Sequence, residues 1–287
     1  MTALLGWLAA ANAEVPPERE PSGPSLWTRA SWAACVNPTG VLAEGTAELR
    51  APILRFGGVA FNDTFVGAGA RVAVSPAHAD LAARISLQPI DLLPITVEAV
   101  HTTYWESPWG LVPVDRVERQ RTPDRRPLYQ ADRDFYGTAD ALIVSPTLQA
   151  RAGPIVAFTN PVFTWIRVRP EQAPEPWVYE PFRGMVMAYD DRLLEHTSAV
   201  LWEPRDGEDG ALFRVGPAFR GKSSAVTGDA TLTLGGVMQW RPGRETTAPT
   251  ILVLATPYLR DPDYAGALPF VAALLTFERD DPLRSAR

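Results

Sequence analysis

Charged residues at every second position of otherwise apolar segments are the first candidates for chemistry in this sequence. Between residues 211 and 222, Arg214, Arg220 and Lys222 share one parity, and the alternate positions are apolar. Successive side chains of a β-strand point to opposite faces, so these cations would lie on one face of a strand. Comparable positions elsewhere complete a candidate pore lining of Arg71, Arg84, Glu98, Arg151, Arg214, Arg220, Lys222 and Arg241. Because arginine and lysine rings favour anions in a pore, the set predicts a channel for small anionic solutes.

The same charges have a second interpretation, in which they pair with one another and close the interior. Asp80 and Glu98 share the polar faces with the cations. A barrel of about twelve strands can be filled by its own side chains. The protein would then be a closed barrel anchor with a structural or adhesion role. That role would be carried by the Pro- and charge-rich segment 106–136, since a long connection without regular structure is usually functional or mobile.

A third interpretation is a hydrolase at the rim of the barrel. Asp190, Asp191 and His196 lie close together in the chain, and Ser198 follows. Adjacent carboxylates and a histidine at a rim could activate water by general acid–base catalysis. His78 and His101 have no spacing typical of metal ligands, so we expect neither a metal nor a cofactor. An adjacent Asp pair is also common in solvated turns, and we do not expect an enzyme.

The elements that would position these residues are β-strands separated by turn formers. About twelve candidate strands lie near 45–56, 64–75, 79–88, 94–105, 138–151, 154–168, 177–189, 195–203, 211–222, 230–241, 249–260 and 267–279. Gly, Pro, Asn and Asp separate them, and no stretch has the pattern of an amphipathic helix of ordinary length. The sequence therefore predicts an all-β fold, an antiparallel up-and-down meander with residues 45–279 as one β-barrel.

The apolar faces of these strands decide between a membrane and a soluble barrel. Segments 64–75 and 79–88 each have one face without charge, segment 139–151 has an apolar face from Leu142 to Ala150, and tryptophan and tyrosine gather near strand ends. Strands of this pattern are typical of transmembrane barrels, and both aromatic residues favour the membrane–water boundary. The chain thus resembles a single-chain outer-membrane β-barrel of Gram-negative bacteria, with the aromatic Phe277 near its end. No specific porin, protease, phospholipase or siderophore-receptor family matches.

Prolines inside the proposed strands favour the alternative, a soluble lipocalin-like barrel or a β-sandwich. They are Pro52, Pro146, Pro161, Pro181, Pro217 and Pro257. Proline cannot donate to a ladder, and a closed barrel has no edge strand for it. A further difficulty is parity: if both termini are periplasmic, segment 106–136 emerges on the side where connections are short.

The termini and the composition complete the expectations. Residues 1–13 resemble a truncated signal peptide, because a short apolar run precedes Ala11-Asn12-Ala13. We expect export to the bacterial outer membrane, with the lipid bilayer as a partner. Residues 14–44 are expected to be a linker and cap, with a short helix near 26–37, and 280–287 a tail. The net charge of -6 gives no indication of nucleic-acid binding, and the single cysteine, Cys35, is expected to be an inert thiol.

Overall fold

The computed structural model describes residues 23–36, 40–53, 64–105, 111–114, 136–171, 176–180, 183–204, 211–243, 248–260 and 269–283. Within these residues the chain forms seventeen strands. They are β1 (Ser25–Val36), β2 (Gly40–Pro52), β3 (Phe65–Val74), β4 (His78–Gln88), β5 (Ile95–Tyr104), β6 (Val112–Val114), β7 (Gly137–Pro146), β8 (Leu148–Ala152), β9 (Ile155–Pro170), β10 (Trp177–Glu180), β11 (Met185–Ala188), β12 (Asp190–Trp202), β13 (Leu212–Ser224), β14 (Ala230–Arg241), β15 (Thr250–Thr256), β16 (Tyr258–Arg260) and β17 (Phe270–Pro282).

Twelve of these strands form a closed antiparallel barrel. The ring runs β1-β2-β3-β4-β5-β7-β9-β12-β13-β14-β15-β17, and β17 pairs with β1 along the whole length of β1. The pairing of β9 with β12 completes the wall. Two short strands, β8 and β16, pair with β9 and β14 at the edges of this wall. The prediction of an all-β barrel of about twelve strands is confirmed.

The strand count of twelve is right only because two errors cancel. Residues 26–37 were expected to form a helix or cap, but β1 is a full wall strand, so the barrel begins at Ser25 and not at residue 45. Its inward side includes Trp27, Ala33 and Cys35, which are apolar, so β1 lacks the contrast between faces that marks the other strands. Conversely, segment 177–189 forms β10 and β11, which belong to a separate sheet and are not strands of the barrel wall.

The additional first strand also corrects the expected position of segment 106–136. Ser25 pairs with Pro282, so both ends of the described chain lie at one end of the barrel, which we call the terminal end. The connections from β5 to β7 and from β9 to β12 lie at the opposite end, which we call the loop end. Segment 106–136 therefore joins its strands at the loop end. Most of this segment, like the expected signal peptide, lies outside the described residues.

The prolines fit the barrel wall. Pro52 and Pro146 are the last residues of their strands, and Pro257 separates β15 from β16. Pro161 and Pro217 lie within β9 and β13 at outward-facing positions, opposite His196 and Gly236. Pro181 lies outside the described residues. β17 extends to Pro282, so the expected tail from residue 280 begins too early.

A small three-stranded sheet packs against the inner wall at the loop end of the barrel. It consists of β6, β10 and β11, in the order β11-β10-β6, and we call it the plug sheet. Leu111, Val178, Met185 and Met187 pack with wall residues such as Ile166 in one buried cluster. Because the plug sheet is buried on both faces, its residues are almost continuously apolar, which is why segment 177–189 resembled a wall strand.

Candidate functional site

The interior of the barrel holds nearly all of the residues proposed as a pore lining. Arg71, Arg84, Glu98, Arg214 and Arg220 face inward and are buried. The inward-facing Lys222 and Arg241 are half-buried, since both lie near the ends of their strands. Arg151 instead lies on β8 at the terminal end, where 42% of its side chain is exposed. Seven of the eight predicted residues therefore share the inner face, and five of them are buried.

A network of buried ion pairs covers the inner side of β1 to β5. Arg71 Nη1 lies 3.4 Å from Glu44 Oε2, and Arg71 Nε lies 3.3 Å from Glu98 Oε2. Arg84 is 2.9 Å from Glu98 and 3.0 Å from Glu48. Arg71 and Arg84 each lie within ion-pair distance of at least two carboxylates, which offsets part of the cost of burying their charge.

Sequence reasoning missed three members of this network. They are Arg29, Glu44 and Glu48, and Arg29 Nη2 lies 2.7 Å from Glu44 Oε1. Glu48 also accepts hydrogen bonds from Arg50 Nε at 2.8 Å and from the Ser86 hydroxyl. The alternation of Glu44, Thr46 and Glu48 with small or apolar residues was a signal that could have revealed the carboxylates. Arg29 had no such signal, because its strand was not recognised.

A second group of paired charges lies near the terminal end of the barrel. Arg214 Nε lies 2.5 Å from Glu203 Oε2, and Arg151 Nη2 lies 2.6 Å from Glu203 Oε1. Gln239 Oε1 lies 3.4 Å from Arg214 Nη1. Only 1% of the Arg214 residue is exposed. A cation that attracts solutes in a pore faces water. Arg214 instead links β13 to Glu203, which follows β12, so its geometry is that of a cross-link within the wall.

The plug sheet is attached to the wall at the loop end by polar contacts. Arg183, in the turn between β10 and β11, lies 2.9 Å from Glu195 and 3.7 Å from Glu180. Burial opposes the charge, but the two carboxylates outweigh it and raise the pKa of Arg183. Lys222 donates a hydrogen bond to the Arg183 carbonyl. Across the mouth, the Val186 amide donates to Asp229 Oδ2 at 2.8 Å, so the plug sheet reaches the β13–β14 turn.

Apolar side chains fill the other half of the interior. Leu201, Leu252, Leu254 and Leu274 belong to one buried cluster with Phe158, and each leucine is at most 1% exposed. Arg220 lies at the edge of this cluster, with its guanidinium 4.5 Å from the centre of the Phe270 ring. In the part of the barrel that the structure describes, most inward side chains pack against or pair with one another.

The outer wall has the opposite character. Trp32, Leu81 and Val200 face outward and are 50%, 60% and 49% exposed, respectively. Outward tryptophans also lie near strand ends, at Trp165, Trp202 and Trp240. Such a continuous apolar surface would be a liability in water, whereas it matches the hydrocarbon band of a bilayer. No helix among the described residues is long and apolar enough to cross a membrane.

Comparison with known proteins gives structural similarity without sequence similarity. No family model and no curated protein matches the chain. The structure is similar to outer-membrane-expressed OmpT of Vibrio cholerae, with 7% identity, a TM-score of 0.38 and coverage of 92% of this chain and 99% of that one. It is also similar to Acinetobacter baumannii CdiB, with 6% identity, a TM-score of 0.36 and 89% of this chain covered. The chain spans 60% of the length of CdiB.

Pseudomonas aeruginosa OccK5 is a third similar structure, with 8% identity, a TM-score of 0.22 and coverage of 94% of this chain and 100% of that one. These similar structures are bacterial outer-membrane barrels. The outward apolar face and the closed ring are the observations that decide the fold of this chain. It is an all-β, twelve-stranded closed barrel that resembles outer-membrane β-barrels. Its predicted resemblance to that class is confirmed.

The residues proposed for hydrolysis do not converge in this barrel. Asp191 faces inward and accepts a hydrogen bond from Ser224 Oγ at 2.6 Å, whereas Asp190 faces outward and pairs with Arg167 at 3.0 Å. His196 faces outward near the middle of β12, with its Nε2 2.8 Å from Thr159 Oγ1 and 3.0 Å from Ser198 Oγ. The wall of β12 thus separates the two carboxylates, and neither contacts the histidine.

Proposed function

We propose that this protein is a closed barrel of the bacterial outer membrane that serves as an anchor, and that its function lies at its ends and outer surface. One observation carries the proposal: the inward charges are buried in ion pairs. Conduction needs a water-filled path along the lining residues. Arg71 and Arg214 are 2% and 1% exposed, so neither can bind a solute without losing its carboxylate partners.

The loop end is the proposed working end. In outer-membrane barrels, short turns face the periplasm and longer loops face outward. The connections from β5 to β7 and from β9 to β12 are the longest and lie opposite the termini. This arrangement supports an outward loop end, where segment 106–136 would have the structural or adhesion role.

A gated anion channel is the second candidate function. The observation that favours it is the position of Lys222 beside the plug sheet, with Arg220 two residues away on the same inner face of β13. Lys222 bonds the carbonyl of Arg183, and Arg220 stacks over Phe270. If the plug sheet moved away, these two cations would line the opened mouth and would favour anions.

Single-channel recording in a planar bilayer separates the two candidates. The parent protein and Arg183→Ala would be inserted after folding has been verified by heat-modifiable migration. The closed anchor predicts that neither protein conducts, since the ion-pair network and the apolar cluster remain. Anion-selective openings in Arg183→Ala alone would favour the gated channel. A steadily open parent protein would contradict the proposed closed anchor.

A further inference from the structure

Charged residues on the outer wall are confined to two places. At outward-facing positions of the twelve barrel strands, within the described residues, Asp, Glu, Lys and Arg occur only on β7, β9, β12 and β17. On β17 they form one exposed pair at the terminal end, Arg279 with Asp281, at 2.7 Å. All the others lie together at the loop end with His101, and we call this group the rim patch. It comprises His101, Asp140, Arg167, Arg169, Asp190 and Arg192.

The rim patch lies near the loop-end termini of its strands, which is where lipid headgroups would meet a membrane-spanning barrel. Arg169 and Arg167 are the second and fourth residues from the end of β9, and Arg192 is the third residue of β12. Arg192 lies opposite Trp165 in the strand register, and tryptophan marks the membrane–water boundary. Charges deeper in the wall would face hydrocarbon, and the outer wall has none there within the described strands.

The rim patch carries an excess of positive charge that internal pairing does not remove. Arg169 pairs with Asp140 at 2.6 Å, and Arg167 pairs with Asp190 at 3.0 Å. Asp140 also lies 2.8 Å from His101 Nδ1. Arg192 is exposed, and among the described residues its guanidinium has no carboxylate within ion-pair distance. Three arginines and two aspartates therefore present a net positive surface.

A groove in the outer wall leads away from the rim patch. Its volume is about 640 Å³, and its lining is mostly apolar. Ala70, Ala83 and Ala99 lie side by side on β3, β4 and β5, where larger side chains would fill the space. His101 and Asp140 form the polar end of the groove. Asp140 at this polar end pairs with Arg169 of the rim patch, so the apolar trough leads to the arginines beside it, which matches the polarity of a single lipid molecule.

We propose that the rim patch and this groove bind an anionic, phosphate-bearing membrane lipid. The headgroup phosphate contacts Arg167, Arg169 and Arg192, and one acyl chain lies in the alanine-lined groove. Basic clusters at membrane surfaces recognise anionic lipids in this way. The site requires that the barrel spans a membrane, but it is independent of whether the lumen conducts.

Lipid retention by the purified full-length barrel tests this site. The protein would be equilibrated with phosphatidylglycerol or phosphatidylcholine, and bound lipid would be counted by native mass spectrometry. We expect preferential retention of phosphatidylglycerol. Arg167→Gln and Arg192→Gln should each weaken it roughly fivefold, the effect typical of one basic residue near an anionic surface. Ala83→Phe, which fills the groove, should reduce retention of the same lipid.

Arg279→Gln is the matched control, because it removes an outward arginine at the opposite end of the barrel. It should leave retention unchanged. Equal retention of the two lipids would overturn the proposal, as would an equal loss in Arg279→Gln. Displacement of the lipid by millimolar inorganic phosphate would also overturn it, since it would mean that the groove contributes nothing. Heat-modifiable migration of every variant ensures that a loss of binding is not a loss of folding.

Discussion

At the scale of single residues, the interior charges act as cross-links between strands. Glu48 shows this most clearly, because its carboxylate is fully buried and lies 2.8 Å from Arg50 and 3.0 Å from Arg84. Removing one partner of a buried pair leaves the other charge without compensation, which costs far more than the loss of a surface pair. The stability of the barrel should therefore depend strongly on the inward carboxylates.

We expect Glu48→Gln to lower the free energy of unfolding by about 3–5 kcal/mol. Asp281→Asn breaks the exposed pair with Arg279 and should cost no more than about 1 kcal/mol. Guanidinium unfolding of the folded barrel, followed by tryptophan fluorescence, would measure both values. Equal and small effects would mean that the interior is hydrated and that its charges are solvated.

The sequence predicted which residues face inward, but not what they contact. Alternation placed Arg71, Arg84 and Arg214 on the inner face correctly. Their partners follow from strand register and barrel closure, which parity does not supply. Arg214 meets Glu203, which follows the end of β12 and was not part of the predicted lining. The same limit led to the grouping of Asp190, Asp191 and His196. Asp190 and Asp191 are adjacent on β12 and therefore point to opposite faces, so Asp191 lies on the other side of the wall from Asp190 and His196.

At the scale of elements, strands were recognisable where the two faces differ in chemistry. β3, β4, β13 and β14 have one charged or polar face and one apolar face, and their predicted positions agree with the structure. β1 was missed because apolar residues lie on both of its sides. The plug sheet was mistaken for a wall strand because it is buried all round. In both cases the correct assignment depends on which residues are buried, and that burial arises from tertiary packing.

The assignment of β1 to the wall predicts the effect of truncation. Removal of residues 1–36 should abolish the closed barrel. Without β1, the strands β17 and β2 would each lose the partner on one side and would have open edges. Removal of residues 1–22 should leave heat-modifiable migration intact, since the pairing of β1 begins at Ser25. Both proteins would be refolded in detergent from inclusion bodies. A folded barrel from the shorter chain would mean that β1 is only a cap.

Close approach of neighbouring strands makes a second prediction at this scale. A Cβ on the inward-facing Gly216 would overlap the carbonyl oxygen of Val200 on β12, whereas a Cβ on the outward-facing Gly236 would meet no atom closer than 4.0 Å. We therefore expect Gly216→Ala to destabilise β12–β13 pairing and to slow refolding. Gly236→Ala should refold like the parent. Comparison of refolding yields by gel migration would test the difference, and equal yields would contradict the described strand spacing.

At the scale of the whole molecule, the side chains are distributed as in a membrane barrel, with paired charges on the inner face. Charges, which soluble proteins place outside, are paired inside, and the exposed wall is apolar. A soluble lipocalin-like barrel, the alternative considered from the sequence, would place polar residues outward on most strands. Outward positions of β1 to β4 carry no charged residue at all. This arrangement, with charges inward and apolar residues outward, follows from the alternating sequence and supports the proposed role as a membrane anchor.

The most direct test of this account is membrane fractionation of the expressed protein combined with heat-modifiable migration on a detergent gel. An outer-membrane barrel should sediment with outer membranes, need detergent for extraction and migrate differently before and after boiling. Protein that stays in solution without detergent, with identical migration in both conditions, would contradict it.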